Sequence, residues 1–190
     1  MAIDLPEVHA EAVLNTTRAI VAAIGPDQWA LPSDCSDWDV RGLTNHVVSG
    51  NFWTSPLVAG ETIEAVGHRL DGDLLADDPL GVYDTSAAEA AKAFRGPDAM
   101  ERMVAVSYGP VPGAVYCGHR FLDVLIHGWD LAKSTGQDTT LPEDLVEACW
   151  EVVTPQRDLL AGSGMFGNER NVPPDADRQT QLLAILGRDA

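Results

Sequence analysis

Basic residues are scarce in this chain. Twelve Lys and Arg stand against 29 Asp and Glu, a net charge of −17. So acidic a protein is repelled by phosphate backbones and anionic lipid headgroups, and neither nucleic acid nor membrane is an expected partner. Long apolar runs are missing as well. The longest, Ala19–Ile24 (AIVAAI), falls far short of the ~20 residues that span a bilayer, and no basic stretch precedes it as in a targeting peptide. Cysteines number three, Cys35, Cys117 and Cys149, and lie far apart. An odd, scattered set excludes a closed disulfide framework, and the absence of CxxC excludes a zinc-finger pattern; reduced thiols in the cytoplasm fit this usage. Neither a G-x-G-x-x-G, a Walker-type G-K-[ST] nor a G-x-S-x-G elbow occurs, which leaves dinucleotide, P-loop and hydrolase-elbow chemistry without a basis.

What is present is an ordinary globular composition, 45% hydrophobic and 22% charged over 190 residues, enough for one domain spanning 1–190 with a sizeable core. Periodicity predicts helices over about Pro6–Ile24, Val40–Ala59 (N-capped by Asp39), Gly113–Ser134 and Pro142–Leu160, separated by Gly/Pro/Asp-rich connections. A shorter Ala-rich helix is expected near Thr85–Arg95, capped by Thr85 or Ser86, and a last one near Asp177–Leu186. The segment Met103–Pro112 reads equally well as a short strand or an extended linker. The expected fold is all-α, a four-helix bundle with short accessory helices and room for one short extended segment.

The stretch His119–Asp130, HRFLDVLIHGWD, holds two histidines and two aspartates. On a helix Tyr116, His119, His127 and Asp130 fall within about 40° of Asp123, on one narrow stripe, with Arg120 at its edge and a wide apolar face opposite. Two readings stand. A narrow polar stripe usually faces water, but solvated stripes are rich in Lys, Glu and Gln, whereas this one carries residues that ligate metals or fix hydrogen bonds. Asp123 and His127, spaced i, i+4, stand one above the other and can share one ion. A third donor is expected from a facing helix. His46 shares a stripe with Leu43, Gly50, Trp53 and Leu57, so it should face inward, with Gly50 leaving room beside it. It is read either as a hydrogen-bonded core histidine or as a ligand. His9 and His68 are expected at the surface. Cys35 sits in a polar loop with no partner histidine that the sequence can place, which weakens a nucleophile reading; Cys117 and Cys149 read as packing residues.

The motifs CSDWDVRGLTNHV (Cys35–Val47) and DVLIHGWDLAKSTGQ (Asp123–Gln137) resemble the DinB-like superfamily, in its actinobacterial branch related to the N-terminal domain of mycothiol-dependent maleylpyruvate isomerase. The tail FGNERNVPPDAD is similar to that of small single-domain members. The resemblance implies a four-helix bundle holding a divalent ion, zinc or nickel, on His46, Asp123 and His127. Those are the same residues that the face geometry brings forward. It also implies an open position for water or a thiolate. Aspartate at 123 departs from the isomerase, which has the longer glutamate there, and nothing here resembles the isomerase's additional C-terminal domain.

The leading expectation is a metal-dependent enzyme in which a low-molecular-weight thiol such as mycothiol is activated toward an electrophilic substrate, for S-transfer or isomerisation. His119 and Asp130 are candidates to orient a ligand or relay protons. Two alternatives stay open: hydrolysis by metal-bound water, and a non-catalytic bundle that binds a small molecule or a partner protein.

Overall fold

The computed structural model describes residues 3–35, 38–163 and 167–190. Ser36 and Asp37 of the first motif and Phe166 of the tail motif lie outside the described residues. The chain divides into two compact units, Met1–Thr139 and Thr140–Ala190.

The first unit is a four-helix bundle. Helix α1 (Leu5–Glu11) passes through a π-helical turn (Ala12–Thr16) into α2 (Thr17–Ala22), and together they form one arm. The other arms are α3 (Val40–Val58), α5 (Pro79–Phe94) and α6 (Gly113–Thr135), with a short α4 (Ile63–Val66) between α3 and α5. Helix α3 packs on α5 and α6, and the α1–α2 arm packs on α6 and α5. Local chemistry sets the ends. Asp39 accepts from Gly42 N at 2.7 Å and starts α3, the N-cap that the sequence predicts. Gly136, at φ 70°, ends α6 in the left-handed conformation, and Gln137 N bonds back to Ala132 O.

The fourth arm differs from expectation. The Ala-rich helix starts at Pro79, with Asp78 accepting from Gly81 N at 3.0 Å. Thr85 and Ser86 are not caps: their hydroxyls donate back to Gly81 O and Tyr83 O within the helix. This helix, not the predicted 142–160, is the bundle's fourth member. It buries mostly small side chains (Ala87, Ala90, Ala91) beside Tyr83 and Phe94, and small side chains make a weak hydrophobic pattern. The 142–160 region belongs to the second unit. There it runs as α7 (Glu143–Val153), a 3₁₀ turn (Thr154–Gln156) and α8 (Arg157–Ser163). The interruption coincides with Pro155, which cannot supply a helical N–H. Helix α7 packs on α9 (Arg178–Ile185), which Asp177 caps through Thr180 N.

Segment 103–112 is a two-residue antiparallel pair, β1 (Met103–Val104) with β2 (Val111–Pro112). It leads straight into α6, whose first turn has no side-chain cap. Gly113 N instead bonds Arg102 O at 2.7 Å and Ala114 N bonds Met100 O at 2.8 Å. A Cβ on residue 113 would overlap Ala99 O, and backbone cannot swing aside as a side chain can. Gly113→Ala is therefore expected to destabilise by about 1–3 kcal/mol, seen as a lower urea midpoint with an unchanged m-value.

His9 is a correction. It is fully buried, not at the surface, and stands edge-on to Phe94 with ring centroids 4.8 Å apart. It lies on the face of α1 that packs against α5 and α6, where its stripe neighbours Ala12 and Val13 are also buried. His68 is exposed and pairs with Asp71. No helix among the described residues is long and apolar enough to cross a membrane.

Candidate metal centre

Helices α3 and α6 run antiparallel along one seam, so that numbering rises on α3 from His46 to Gly50 while it falls on α6 from His127 to Arg120. The stripe of α6 faces this seam: Tyr116, Arg120, His127 and Asp130 are buried, and Asp130 is 0% exposed.

Three donor atoms converge there. Asp123 Oδ1 lies 3.4 Å from His46 Nε2 and 3.5 Å from His127 Nε2, and the set fits within 4.8 Å. Two donors at about 2.0–2.1 Å from a tetrahedral zinc stand roughly 3.3 Å apart. Both carboxylate–imidazole spacings match this value, so the donor chemistry suits a small divalent ion, and Asp123 reaches both histidines despite its short side chain.

The groups around the trio fix its orientation. Asp130 Oδ2 lies 2.9 Å from His127 Nδ1. An ionised carboxylate only accepts, so this contact assigns a proton to Nδ1 and aims Nε2 at Asp123. Trp38 stacks on the His46 ring, centroids 4.6 Å apart and planes 21° from parallel, and meets His127 edge-on. Arg120 Nη1 donates to Asp123 Oδ2 at 2.7 Å, which leaves Oδ1 to the histidines. Its Nη2 reaches Asn51 Oδ1 at 3.2 Å.

Charge follows from this packing. Burial alone pushes the Asp123 carboxyl upward. The Arg120 guanidinium, His127 and the hydrogen bonds from His127 and His46 outweigh it and hold the group well below the usual carboxylate range. For His127, burial disfavours the cation, but Asp123, Asp130 and Cys35 together raise it well above an ordinary histidine. Without an ion, the two flanking carboxylates favour the imidazolium form of His127.

His46, Asp123 and His127 are thus brought together, and Asp130 stands directly behind His127. His119 belongs to neither of the candidate donor groups; Tyr108 Oη meets its Nδ1 at 2.6 Å, which ties the 106–108 segment to α6. Two participants, Arg120 and Cys35, escape sequence reasoning. Arg120 lies not at the edge of a wet stripe but in the seam. Its i, i+3 spacing from Asp123 is the one signal that could have suggested the pairing. Gly50 leaves room, as expected, and the Arg120 guanidinium fills it: a Cβ there would overlap it. Cys35 does have a partner histidine, with Sγ 3.7 Å from His127 Nδ1 and donating to Asp130 Oδ2 at 3.2 Å. Cys35, His127 and Asp130 form a second compact donor group that shares His127. Nothing in the sequence signals a contact across 95 residues between a loop and α6.

The comparisons with known proteins agree with this architecture. Two relatives from Mycobacterium tuberculosis, the uncharacterized proteins MT0763 (strain CDC 1551 / Oshkosh) and Rv0738 (strain ATCC 25618 / H37Rv), are each 35% identical over 175 residues, covering 90% of either chain. A crystal structure of a histidine-to-alanine mutant of mycothiol-dependent maleylpyruvate isomerase matches with a TM-score of 0.63 at 20% identity, covering 84% of this chain and 74% of that one. A second structure of that isomerase gives 0.58 at 18% identity with the same coverage. These likenesses establish the fold. The family model described as the mycothiol maleylpyruvate isomerase N-terminal domain matches residues 10–132, a span that contains all of the α3–α6 seam, and the chain belongs to that family.

Proposed function

We propose that this protein is a divalent-metal-dependent enzyme that activates a low-molecular-weight thiol, of the mycothiol kind, for addition to an electrophile, with isomerisation or S-transfer as the outcome. The observation that carries the reading is the convergence of His46 Nε2 and His127 Nε2 on Asp123 Oδ1. When bound on three protein donors with a position left open, a zinc or nickel ion supplies a thiolate at neutral pH by lowering the thiol pKa.

The chain's own residues supply the rest. Asp130 keeps the His127 proton on Nδ1, so Nε2 presents its lone pair once its own proton leaves. Arg120 holds Asp123 to one-oxygen presentation and offsets its charge. Trp38 shields one face of His46 from water and limits its rotation. The three cysteines form no disulfide, in keeping with a reducing compartment in which free thiols are abundant.

One preparation tests the reading. Untagged protein incubated with zinc or nickel and then desalted is expected to retain about one ion per chain, and His46→Ala and His127→Ala to lose most of it. Loading must displace a proton from His127, whose affinity for it is raised, so ion affinity should fall as pH drops from 8 to 6. Turnover of an activated double bond should then require added thiol. Turnover at full rate without thiol would point to metal-bound water instead, and a wild-type chain that stays ion-free would sink the assignment.

A further inference from the structure

His127 meets a different donor group at each of its ring nitrogens. Nε2 faces Asp123 of the trio, and Nδ1 faces Asp130 and Cys35. The second group is compact. Cys35 Sγ lies 3.7 Å from His127 Nδ1 and 3.2 Å from Asp130 Oδ2, and Nδ1 lies 2.9 Å from that same oxygen. Around a tetrahedral zinc-sized ion, donors that include one thiolate stand roughly 3.3–3.6 Å apart, so all three spacings lie within about half an ångström of that range. The sulfur comes from a loop that is fastened to α6 beside it. Asp34 N donates to Ser134 Oγ at 3.0 Å, and the Asp34 carboxylate pairs with Lys133 at 3.0 Å. Asp130 is fully buried and Cys35 half-buried, so the sulfur side is the way in. Cys117 and Cys149 are fully buried and offer no competing thiol.

We infer that Cys35, His127 Nδ1 and Asp130 form a second cation site, for a thiophilic divalent ion, and that filling it unmakes the first. Thiolate selects soft, polarisable ions, whereas imidazole and carboxylate donors suit ions such as nickel. A thiolate and a carboxylate together also match the charge of a divalent ion. The exclusion follows from the shared ring. A neutral imidazole has one nitrogen lone pair free to ligate, and the other nitrogen carries the proton. An ion on Nδ1 therefore leaves the proton on Nε2, which then points at Asp123 Oδ1, 3.5 Å away, as a donor and not as a ligand. On loading, the thiol proton is released to solvent. A soft ion thus disables the centre from behind, without touching Asp123 or His46. The loss of activity rests on the metal-enzyme reading of the trio, while the binding of the soft ion does not.

The test uses EDTA-treated, reduced full-length protein, with cadmium as the thiophilic probe and nickel as the probe of the trio. Cadmium is expected to raise the ultraviolet thiolate-to-cadmium charge-transfer band, saturating at one ion per chain. Cys35→Ser should abolish that band and still hold nickel as wild type does. His46→Ala should weaken nickel at least tenfold and keep the band, with its midpoint within twofold of wild type. His127→Ala should weaken both ions at least tenfold. Wild type saturated with cadmium should retain less than a tenth of its nickel. The second site is overturned by a wild type without the band, by a band that survives Cys35→Ser, or by saturation at one cadmium for two chains. A band that needs His46 would put the sulfur on the trio's own ion and overturns it as well. Cadmium and nickel held together, one of each per chain, overturns the exclusion. If His127→Ala does not fold, the Cys35→Ser and His46→Ala results decide. The band kept by a chain that never holds nickel refutes the reading of the trio alone; nickel held by a chain without the band refutes this one alone.

Discussion

Asp123→Ala is expected to cost the protein about 3–5 kcal/mol of stability, in addition to abolishing metal retention. The carboxylate it removes is the 2.7 Å partner of Arg120, whose side chain is 9% exposed and wedged against Gly50. Removing one member of a buried ion pair leaves an uncompensated charge in low dielectric, and that cost exceeds the value of the pair itself. Asn51 Oδ1 and Val47 O accept hydrogen bonds from the guanidinium but carry no charge. Against total stabilities of about 5–15 kcal/mol, the loss is large. His46→Ala, by contrast, removes a half-exposed ring and should lose the ion while melting close to the ion-free wild type. The charge argument has its own control. Asp123→Leu combined with Arg120→Met deletes both charges and should recover most of the lost stability, with no return of zinc. Urea unfolding of the three ion-free variants measures this. An Asp123→Ala chain within about 1 kcal/mol of wild type would mean that Arg120 finds solvent or another partner, since a buried unpaired cation cannot be that cheap.

The second large effect concerns His9. Neither ring nitrogen has a hydrogen-bond partner, and the residue is 0% exposed. Burial above all, then the positive charges of Arg120 and Arg95, push its pKa down to about 3. Folding therefore requires the neutral ring. Below about pH 6.5 the unfolded chain takes up a proton at this position and the folded chain does not, so stability from His9 is complete above that pH and is lost progressively as pH falls toward 3. At about 1.4 kcal/mol per pH unit the full loss is roughly 5 kcal/mol. Neighbouring groups shift the curve, since Asp123 resists protonation far below its usual pKa and adds a further loss only below about pH 4. His9→Leu fills a similar volume, removes two unmade hydrogen bonds and cannot take up a proton. It is expected to be about 1–3 kcal/mol more stable at pH 7, with the gap widening at pH 5. Urea midpoints at the two pH values test this. A gap that stays constant or reverses would show that the imidazole is hydrogen-bonded in solution.

Much of the centre could be read in advance because it rests on short-range geometry. Asp123 and His127 share a face by helical repeat alone, and the apolar neighbours of His46 on its stripe, Leu43 and Leu57, turn it inward wherever α3 packs. The cap at Asp39 and the stop at Gly136 are equally local. The Ala-rich arm was harder: α5 contributes Ala87, Ala90 and Ala91 to the core, and a sequence pattern built on large side chains undervalues it. The longer-looking pattern at 142–160 reads as the bundle member in its place. His9 misled for a related reason. A polar residue between Val8 and Ala10 looks solvent-facing until Phe94 is known to stand over it.

By itself, then, the sequence determined which side chains share a helix face, where α3 and α6 begin and end, and hence which three donors were candidates for one ion. Only the tertiary structure decided what surrounds them: that Arg120 reaches across to Gly50 and takes one oxygen of Asp123, and that Cys35 and Trp38 fold over the histidines from a loop. Periodicity is a property of a single helix and survives in isolation. The direction of a long side chain and the closure of a loop depend on the volume that a facing helix leaves free, and that volume exists only once the helices have met.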